Sequence, residues 1–336
     1  MAELRALTNA DRQQAMELWE SRFHDSRSFI DWFFQARFSS ETSFCAEENG
    51  RIVSIAHGSP MRLCIRGTEL PAMMISGVAT LPGFERRGLM RAVLTRLLSH
   101  CRECGVPVAF HTPARFAVYR SLGQYPCTDA LFHRREAAPP VPAAWDPLPP
   151  VPDLTRVYRL ATQRYGGCVL RTEAEMRRRI DDFRSDGGQC MAHRTDGALD
   201  GYLFAFEENG SFSVPEALAI SQAAYAALVS RLPRGTMVKL PPDAGLPGVL
   251  RAQGTMIAVD VPYLLGRLCP AGASLALEVL DPVLGWNNGV FDASGRRVSA
   301  PPTDTLSAGR LMQFLCGYLP FQDLFEAQIC FCADEY

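Results

Sequence analysis

The sequence predicts an α+β chain with mixed sheets, divided into successive segments. Three observations carry that prediction. Residues 74–90, MISGVATLPGFERRGLM, read as strand, tight turn and helix start. Ile75, Val78 and Thr80 have β-forming side chains, and Pro82-Gly83 ends the run. From Leu89 the period changes: Leu89, Met90, Val93, Leu94, Leu97, Leu98 and Cys101 recur at helical spacing, and Gly105 sits where a C-cap glycine belongs. Asn49-Gly50, between two strand-like runs, is a hairpin signal. Residues 139–152, PPVPAAWDPLPPVP, hold seven prolines, which excludes a regular helix and predicts a linker.

The other elements follow in order. Thr8 to Asp11 form a helix entry, with Met16, Trp19 and Phe23 on one face. Ser26 can cap a second helix carrying Phe29, Ile30, Trp32 and Phe33, an aromatic set most simply read as core. Residues 43–47, 51–55 and 61–65 predict a β-meander turned by Gly67, and 106–110 a short strand after the long helix. Beyond the linker, 158–161 and 173–183 read as helices. Residues 189–193, 202–207 and 212–214 read as strands, and 219–232 as a helix. From Met256 the pattern turns to strands and hairpin turns at 275–281, 287–291 and 294–295, then an amphipathic helix over 307–317. The expected domains are 1–138, 153–255 and 256–336, with 139–152 between the first two.

Composition bounds the function. At 336 residues, there is room for two or three domains. A net charge of -2 argues against nucleic acid as a partner, and Arg177-Arg178-Arg179, the one dense basic run, reads as a solvated helix face. No run reaches the roughly 18 apolar residues of a membrane helix, and the first residues lack the apolar core of a signal peptide. Eleven cysteines without such a signal read as thiols in a reducing cytoplasm. Cys101-x-x-Cys104 has no second pair at zinc-finger spacing, so no metal site is expected.

The strand–turn–helix stretch has a specific chemistry. A helix start offers unpaired N–H groups and the positive end of the dipole. Such a terminus binds phosphate, a glycine there admits the ligand close to the backbone, and arginine forks suit phosphate oxygens. The same letters also describe a plain strand–helix junction with solvated arginines.

VATLPGFERRGLMRAVL resembles the acetyl-CoA loop of the GNAT N-acetyltransferases, in particular of the family of the mycobacterial enhanced intracellular survival protein. The resemblance implies two tandem GNAT-like domains followed by an α+β domain similar to sterol carrier proteins. It implies that the strand at Val78, Ala79 and Thr80 pairs with the pantetheine arm. The loop Arg/Gln-x-x-Gly-x-Gly/Ala would cradle the pyrophosphate with Arg86, Arg87, Gly88, Leu89, Met90 and Arg91. Two positions depart from it: Glu85 replaces Arg or Gln, and Met90 replaces Gly or Ala. The segment Tyr119 to Tyr125 resembles the family's Tyr-x-x-x-Gly-Phe/Tyr helix, which makes Tyr119 the expected general acid. Ala114-Arg115 stands where the family has Ser-Glu. By the same resemblance the terminal carboxylate, here at Tyr336, is the expected base. Its chain end, with acidic Asp334 and Glu335, should then be buried against the first domain. Phe23, Asp25 and Trp32 are expected to wall the acceptor pocket.

The second domain resembles the family's degenerate GNAT domain. At the place of the phosphate loop it has Val214-Pro215-Glu216-Ala217, with no arginine or glycine and a charge wrong for phosphate. One acetyl-CoA per chain is therefore expected. The implied protein is a cytoplasmic, acetyl-CoA-dependent N-acetyltransferase acting on a primary amine, without metal, nucleic acid or membrane, and a homo-oligomer as its family is. Two other classes compete: a ligand-binding or regulatory protein that kept the fold, and a carrier of apolar ligands using the last domain.

Overall fold

The computed structural model describes residues 2–137, 144–208, 210–322 and 324–334. The chain opens with β1 (Glu3–Ala6), a 3-10 turn (Asn9–Asp11), α1 (Arg12–Glu20) and α2 (Arg27–Ala36). Both starts are capped as the sequence signals: the Asp11 carboxylate accepts the Thr8 N–H at 2.7 Å, and Ser26 Oγ accepts the Phe29 N–H at 2.9 Å. The meander follows as β2 (Ser43–Glu48), β3 (Arg51–Ile65) and β4 (Thr68–Thr80). Residues 61–65 are the end of β3 itself. Then come α3 (Leu89–Glu103), β5 (Val108–His111), α4 (Phe116–Arg120) and β6 (Pro126–Arg134).

The predicted linker is helical from its end: α5 (Val151–Thr162) carries Pro152 in its first turn, where no N–H is needed. Next come β7 (Cys168–Val169), α6 (Glu173–Ser185), β8 (Gln189–Thr195), β9 (Ala198–Glu208), β10 (Ser211–Ala219), α7 (Gln222–Ser230), β11 (Met237–Leu240) and β12 (Val249–Ala258). The last segment holds α8 (Val261–Leu268), β13 (Ala276–Leu280), β14 (Gly289–Asp292), β15 (Asp304–Ser307) and α9 (Ala308–Cys316). Ser307 caps α9, and Gly317 ends it at φ +90°, as the sequence predicts.

Among the described residues, twelve strands share one sheet in the order β1-β2-β3-β4-β5-β12-β6-β11-β10-β9-β8, with β7 paired to β3. β12 lies between β5 and β6, so backbone hydrogen bonds knit the first half of the chain to the second. Gly254 is the close-approach point of that insertion. Its N–H donates to Thr128 Oγ1 at 2.9 Å, and a Cβ there would stand 2.7 Å from the same oxygen. A separate sheet, β14-β13-β15, with α8 and α9 covers the other face of the first half. Leu264, Phe291 and Leu311 share one core with Met61, Leu63 and Val108. Arg66, at the β3–β4 turn, donates to the carbonyls of Leu315 at 2.9 Å and Phe314 at 3.0 Å at the end of α9, while its burial lowers its pKa. No helix among the described residues is long and apolar enough to cross a membrane.

The C-terminal tail threads between these layers. The Gly166 N–H donates to the Ile329 carbonyl at 2.9 Å, and the Asp129 N–H to that of Cys330 at 3.0 Å. Residues 330–334 are buried. Asp334, the last described residue, is gripped by the second half: Arg171 Nε donates to it at 3.0 Å and the Tyr158 hydroxyl at 3.1 Å. Arg171 also donates twice to Glu216, at 2.6 and 2.8 Å. Two expectations are corrected here. Residues 214–217 are not a helix-entry loop but part of β10, whose bulge turns Glu216 inward. Arg179 is not solvated; it is buried and donates to Glu216 at 3.1 Å and Asp182 at 2.8 Å.

This network carries a pH signature. Burial alone would raise the Glu216 carboxyl, but Arg171, then Arg179 and Tyr202, hold it down to about 2. Its folded value lies below the ordinary 4.5. The stability it contributes is therefore complete above that value and is lost as pH falls towards 2. Glu216→Ala leaves two buried guanidinium groups short of a partner and should cost about 3–5 kcal/mol at neutral pH. Urea unfolding from pH 7 down to pH 3 should show a flatter pH dependence in the variant. A loss under about 1 kcal/mol would contradict the account.

Candidate active site

The site begins with a fault in β4. Pairing with β3 runs in register to Ser76, opposite His57, and resumes at Ala79, opposite Ile55, so Gly77 and Val78 form a bulge. Gly77 adopts φ +57°, which glycine tolerates, and a Cβ there would overlap the Trp19 ring. On its other side, β4 pairs with β5 only over Ala72 to Met74. Past that point the two strands part, and the edge of β4 through Val78, Ala79 and Thr80 is free of β5. Ser54 Oγ donates to the Ala79 carbonyl at 2.9 Å and meets the Thr80 hydroxyl at 3.0 Å, fixing this edge from the β3 side.

The loop after β4 turns on three left-handed residues: Gly83 at φ +86°, Arg86 at +60° and Gly88 at +79°. A Cβ on Gly83 or Gly88 would meet nothing, so the backbone there is open to approach. Gly88 is the N-cap of α3 and supplies no side-chain cap. The first N–H groups of this helix, from Leu89 to Arg91, are thus left to an outside partner. Leu89 is buried, and Met90 is partly buried against the same core.

The charges of the loop are unevenly committed. Arg87 pairs with Glu48 at 2.9 Å and lies over the Phe84 ring at 5.1 Å. Arg91 donates to the Pro282 carbonyl of the last segment. Arg86 is exposed and has no ion pair among the described residues. Glu85 folds back on the loop: its carboxylate accepts the Gly83 N–H at 2.7 Å and pairs with Arg22 at 3.1 Å. Its own N–H and that of Gly83 hold the carboxyl below its ordinary value, with Arg22 adding to them. The cradle fits an anion, and Glu85 already fills part of it.

Tyr119 lies on α4, in the core under the loop helix. Its ring meets His111 edge-on at 4.5 Å, and His111 Nε2 bonds Gln124 Oε1 at 2.7 Å. Burial pushes the Tyr119 phenol up to about 12 and His111 down to about 4, so both are neutral near pH 7. Phe23 and Asp25 gather around Trp19: the indole N–H donates to Asp25 at 2.7 Å, and the Phe23 ring is 5.6 Å away. Trp32 joins the same cluster through Phe29, whose ring is 5.9 Å away, and its other side lies beside Arg37, which pairs with Glu175 of α6 at 2.8 Å. Tyr336 falls outside the described residues.

Sequence reasoning missed His57, His111 and the position of Trp19. His57 is fully buried among Trp19, Phe33, Phe34 and Phe38, at 5.3 to 5.9 Å, and burial lowers it to about 3. A lone histidine in an apolar strand gives no signal of such a cage.

The comparisons bear on this arrangement. Residues 3–127 match the acetyltransferase (GNAT) domain, and residues 262–330 the sterol carrier protein domain. The chain carries a GNAT acetyltransferase domain followed by a sterol carrier protein domain. Its fold is similar over the full length of both chains to Eis1 from Mycobacterium abscessus, at 21% identity and a TM-score of 0.76. It is also similar to a GCN5-related N-acetyltransferase from Anabaena variabilis, with 100% of each chain covered, 16% identity and a TM-score of 0.74. The N-myristoyltransferase of Saccharomyces cerevisiae, solved with bound myristoyl-CoA, is similar over 76% of this chain and 82% of its own, at 10% identity and a TM-score of 0.56. No curated protein matches the sequence. The bulge, the loop and Tyr119 all fall inside the GNAT domain. Among the described residues no cluster of three metal-ligating side chains occurs.

The packing of Trp19 on the bulge is directly testable. Gly77→Ala must displace the indole and break its hydrogen bond to Asp25. Trp19 fluorescence should shift to the red, and the unfolding free energy should fall by about 1–3 kcal/mol. An unchanged spectrum and stability would mean that Trp19 does not seat on Gly77.

Proposed function

We propose that the protein is an acetyl-CoA-dependent N-acetyltransferase that acts on a primary amine by direct transfer. The observation that carries this reading is the bulge at Gly77-Val78, where β4 leaves β5 and exposes backbone beside an uncapped helix start. Acetyl-CoA supplies the thioester. Backbone N–H groups along Val78, Ala79 and Thr80 polarise its carbonyl and align its arm. Gly88, Leu89, Met90 and Arg91 offer N–H groups to the pyrophosphate, while Arg86 and Arg87 supply charge. Tyr119 is the acid. A phenol at about 12 lies above a thiol near 8.5, so full proton transfer is uphill and an oriented hydrogen bond is its contribution.

The base is assigned to the carboxylate of Tyr336. A terminal carboxylate with an ordinary pKa of about 3.5 is weak. Transfer from water into a protein interior would raise such a carboxyl, and the tail is buried and hydrogen-bonded as far as Asp334, two residues before it. Phe23, Asp25 and Trp32 are proposed to line the acceptor side, with Asp25 attracting a cation. Such an acceptor is a polyamine, an aminoglycoside-like amine or a lysine side chain. The domain limits 1–138, 153–255 and 256–336 are kept as functional units, although the sheet crosses them. Helix α7 starts under a Ser221 cap rather than an open loop. That supports one acetyl-CoA per chain; a cytoplasmic homo-oligomer is proposed on the family resemblance alone.

A second reading, a ligand-binding or regulatory protein with weakened chemistry, is favoured by one observation: the Glu85 carboxylate occupies the loop's own N–H. Acetyl-CoA-driven thiol release against an amine panel separates the two. Release stimulated by at least one amine supports the enzyme; none with any amine supports the binder. In the last segment, Val279, Phe291, Met312 and Leu315 are buried in the core shared with the first half.

Two outcomes are expected of variants. Glu85→Gln should tighten acetyl-CoA binding several-fold by isothermal titration, because it removes an anion from the cradle. Equal or weaker binding would take Glu85 out of the site. Tyr119→Phe, and separately an extension after Tyr336, should each lower kcat by on the order of 10² while cofactor affinity holds. Unchanged turnover in the extended chain would leave the base to a water or an internal side chain.

A further inference from the structure

Strand β12 changes neighbours along its length. Val249 to Thr255 pair with β6, but β5 covers the opposite edge only over Thr255 to Ala258. The stretch 249–252, Val-Leu-Arg-Ala, is exposed at every residue, Val249 by 57% and Leu250 by 54%. The direction of its backbone groups follows from β6. Asp129 donates its N–H to the Cys330 carbonyl at 3.0 Å, and Arg135 bonds Thr236 at 2.9 Å and Gly235 at 2.7 Å. Residues 129, 131, 133 and 135 therefore point their backbone groups away from β12. Ala252 and Leu250, opposite Asp129 and Leu131, point theirs away from β6 in turn, to the open edge. No bond from another described residue reaches them. Two free rungs, two residues apart, are what an added strand needs.

The rows of the sheet bring this edge beside the bulge of β4. Met74, Phe110 and Met256 share one row across β4, β5 and β12. Strand β5 ends one residue further, at His111. Val78 lies four residues on from that row along β4, and Ala252 four residues back along β12. The two free edges flank the space that β5 leaves where it ends.

The edge suits a foreign strand better than a second copy of itself. Pairing two copies through both rungs sets Leu250 opposite Ala252 and Arg251 opposite its own counterpart, a like-charge contact. Arg251 lies over the Phe132 ring at 5.1 Å, on the surface that such a partner would share. An acidic residue opposite Arg251 turns the repulsion into an attraction.

We propose that the open edge of β12 docks the acceptor, which is a lysine carried on an extended polypeptide with an acidic neighbour; this rests on the acetyltransferase reading above. The polypeptide bonds Leu250 and Ala252 as an added strand, and its lysine crosses towards the acetyl group held along β4. The amine nitrogen bonds the acetyl carbon, the thioester C–S bond breaks, and the amine's proton ends on the thiol of coenzyme A.

Steady-state acetylation by the full chain tests this with spermidine and the end-capped peptide Thr-Val-Glu-Val-Lys-Val-Thr. The peptide should exceed spermidine in kcat/KM by about tenfold or more, as two added hydrogen-bonded rungs imply. Two forms N-methylated on alternate amides, one for each edge of the peptide, should differ. The form blocked on the edge facing β12 loses about tenfold, and the other keeps its rate. Arg251→Glu should reverse the preference for glutamate over arginine at the peptide's third position. Should that variant fail to fold, the ranking of the peptides on the wild-type chain decides. Spermidine used as well as the peptide, equal losses from the two methylation patterns, or a glutamate preference that survives Arg251→Glu overturns the docking edge and leaves the acetyltransferase reading in place. Acetylation of no amine at all overturns that reading, and this inference with it.

Discussion

The position of the chain's end depends on one buried cation. Arg171 is fully enclosed, with Glu216 from β10 on one side, Asp334 from the tail on another and the Tyr158 ring 4.2 Å away. A guanidinium in that setting cannot be left half-paired without a large desolvation cost. The tail therefore cannot lift away unless the network opens, and the network cannot open without loosening β10 and α6. Strand β12, bonded to β5 of the first half, makes the same second half continuous with the GNAT sheet. Residues at both extremes of the sequence are thus held relative to one frame. The second half has a physical role in this arrangement: it is the socket that locates the tail.

Electrostatics around the loop point in two directions. The helix start, Gly83, Gly88 and Arg86 make a field suited to an anion, while Glu85 puts a carboxylate into it. Arg22 of the α1–α2 connection pairs with that carboxylate. An anion arriving at the loop can displace Glu85 towards Arg22 without leaving it unpaired. Because the carboxylate is exposed, its hold on the loop is screened by solvent and salt.

How much of this was legible depends on the range of the interaction. Local signals were readable: Ser26 as a cap, Asn49-Gly50 as a hairpin, Pro82-Gly83 as a turn and 307–317 as a helix. Each rests on contacts within a few residues. Insertion of β12 between β5 and β6 was not readable, since strand order in a sheet is a long-range choice that leaves no mark on the strand's own period. Glu216 misled for a related reason. At the place of a phosphate loop it reads as a charge of the wrong sign, but its partners Arg171 and Arg179 are 45 and 37 residues away. In the site, the loop was legible and the cage was not: nothing in the letters near His57 or Gly77 says that Trp19 covers both.

Trp19 links the proposed acceptor side to the bulge of β4. It fills the space over Gly77, bonds Asp25 and abuts the buried ring of His57. A position where no side chain fits, beneath an indole held by a carboxylate, makes the bulge rigid from above as Ser54 does from the side. For the proposed acetyl transfer such rigidity would matter, because N–H groups that meet a developing negative charge must not reorganise when it forms. The aromatic cluster first read as simple core therefore serves two purposes with the same atoms. It buries apolar surface, and it holds the one irregular stretch of β4 in a fixed shape.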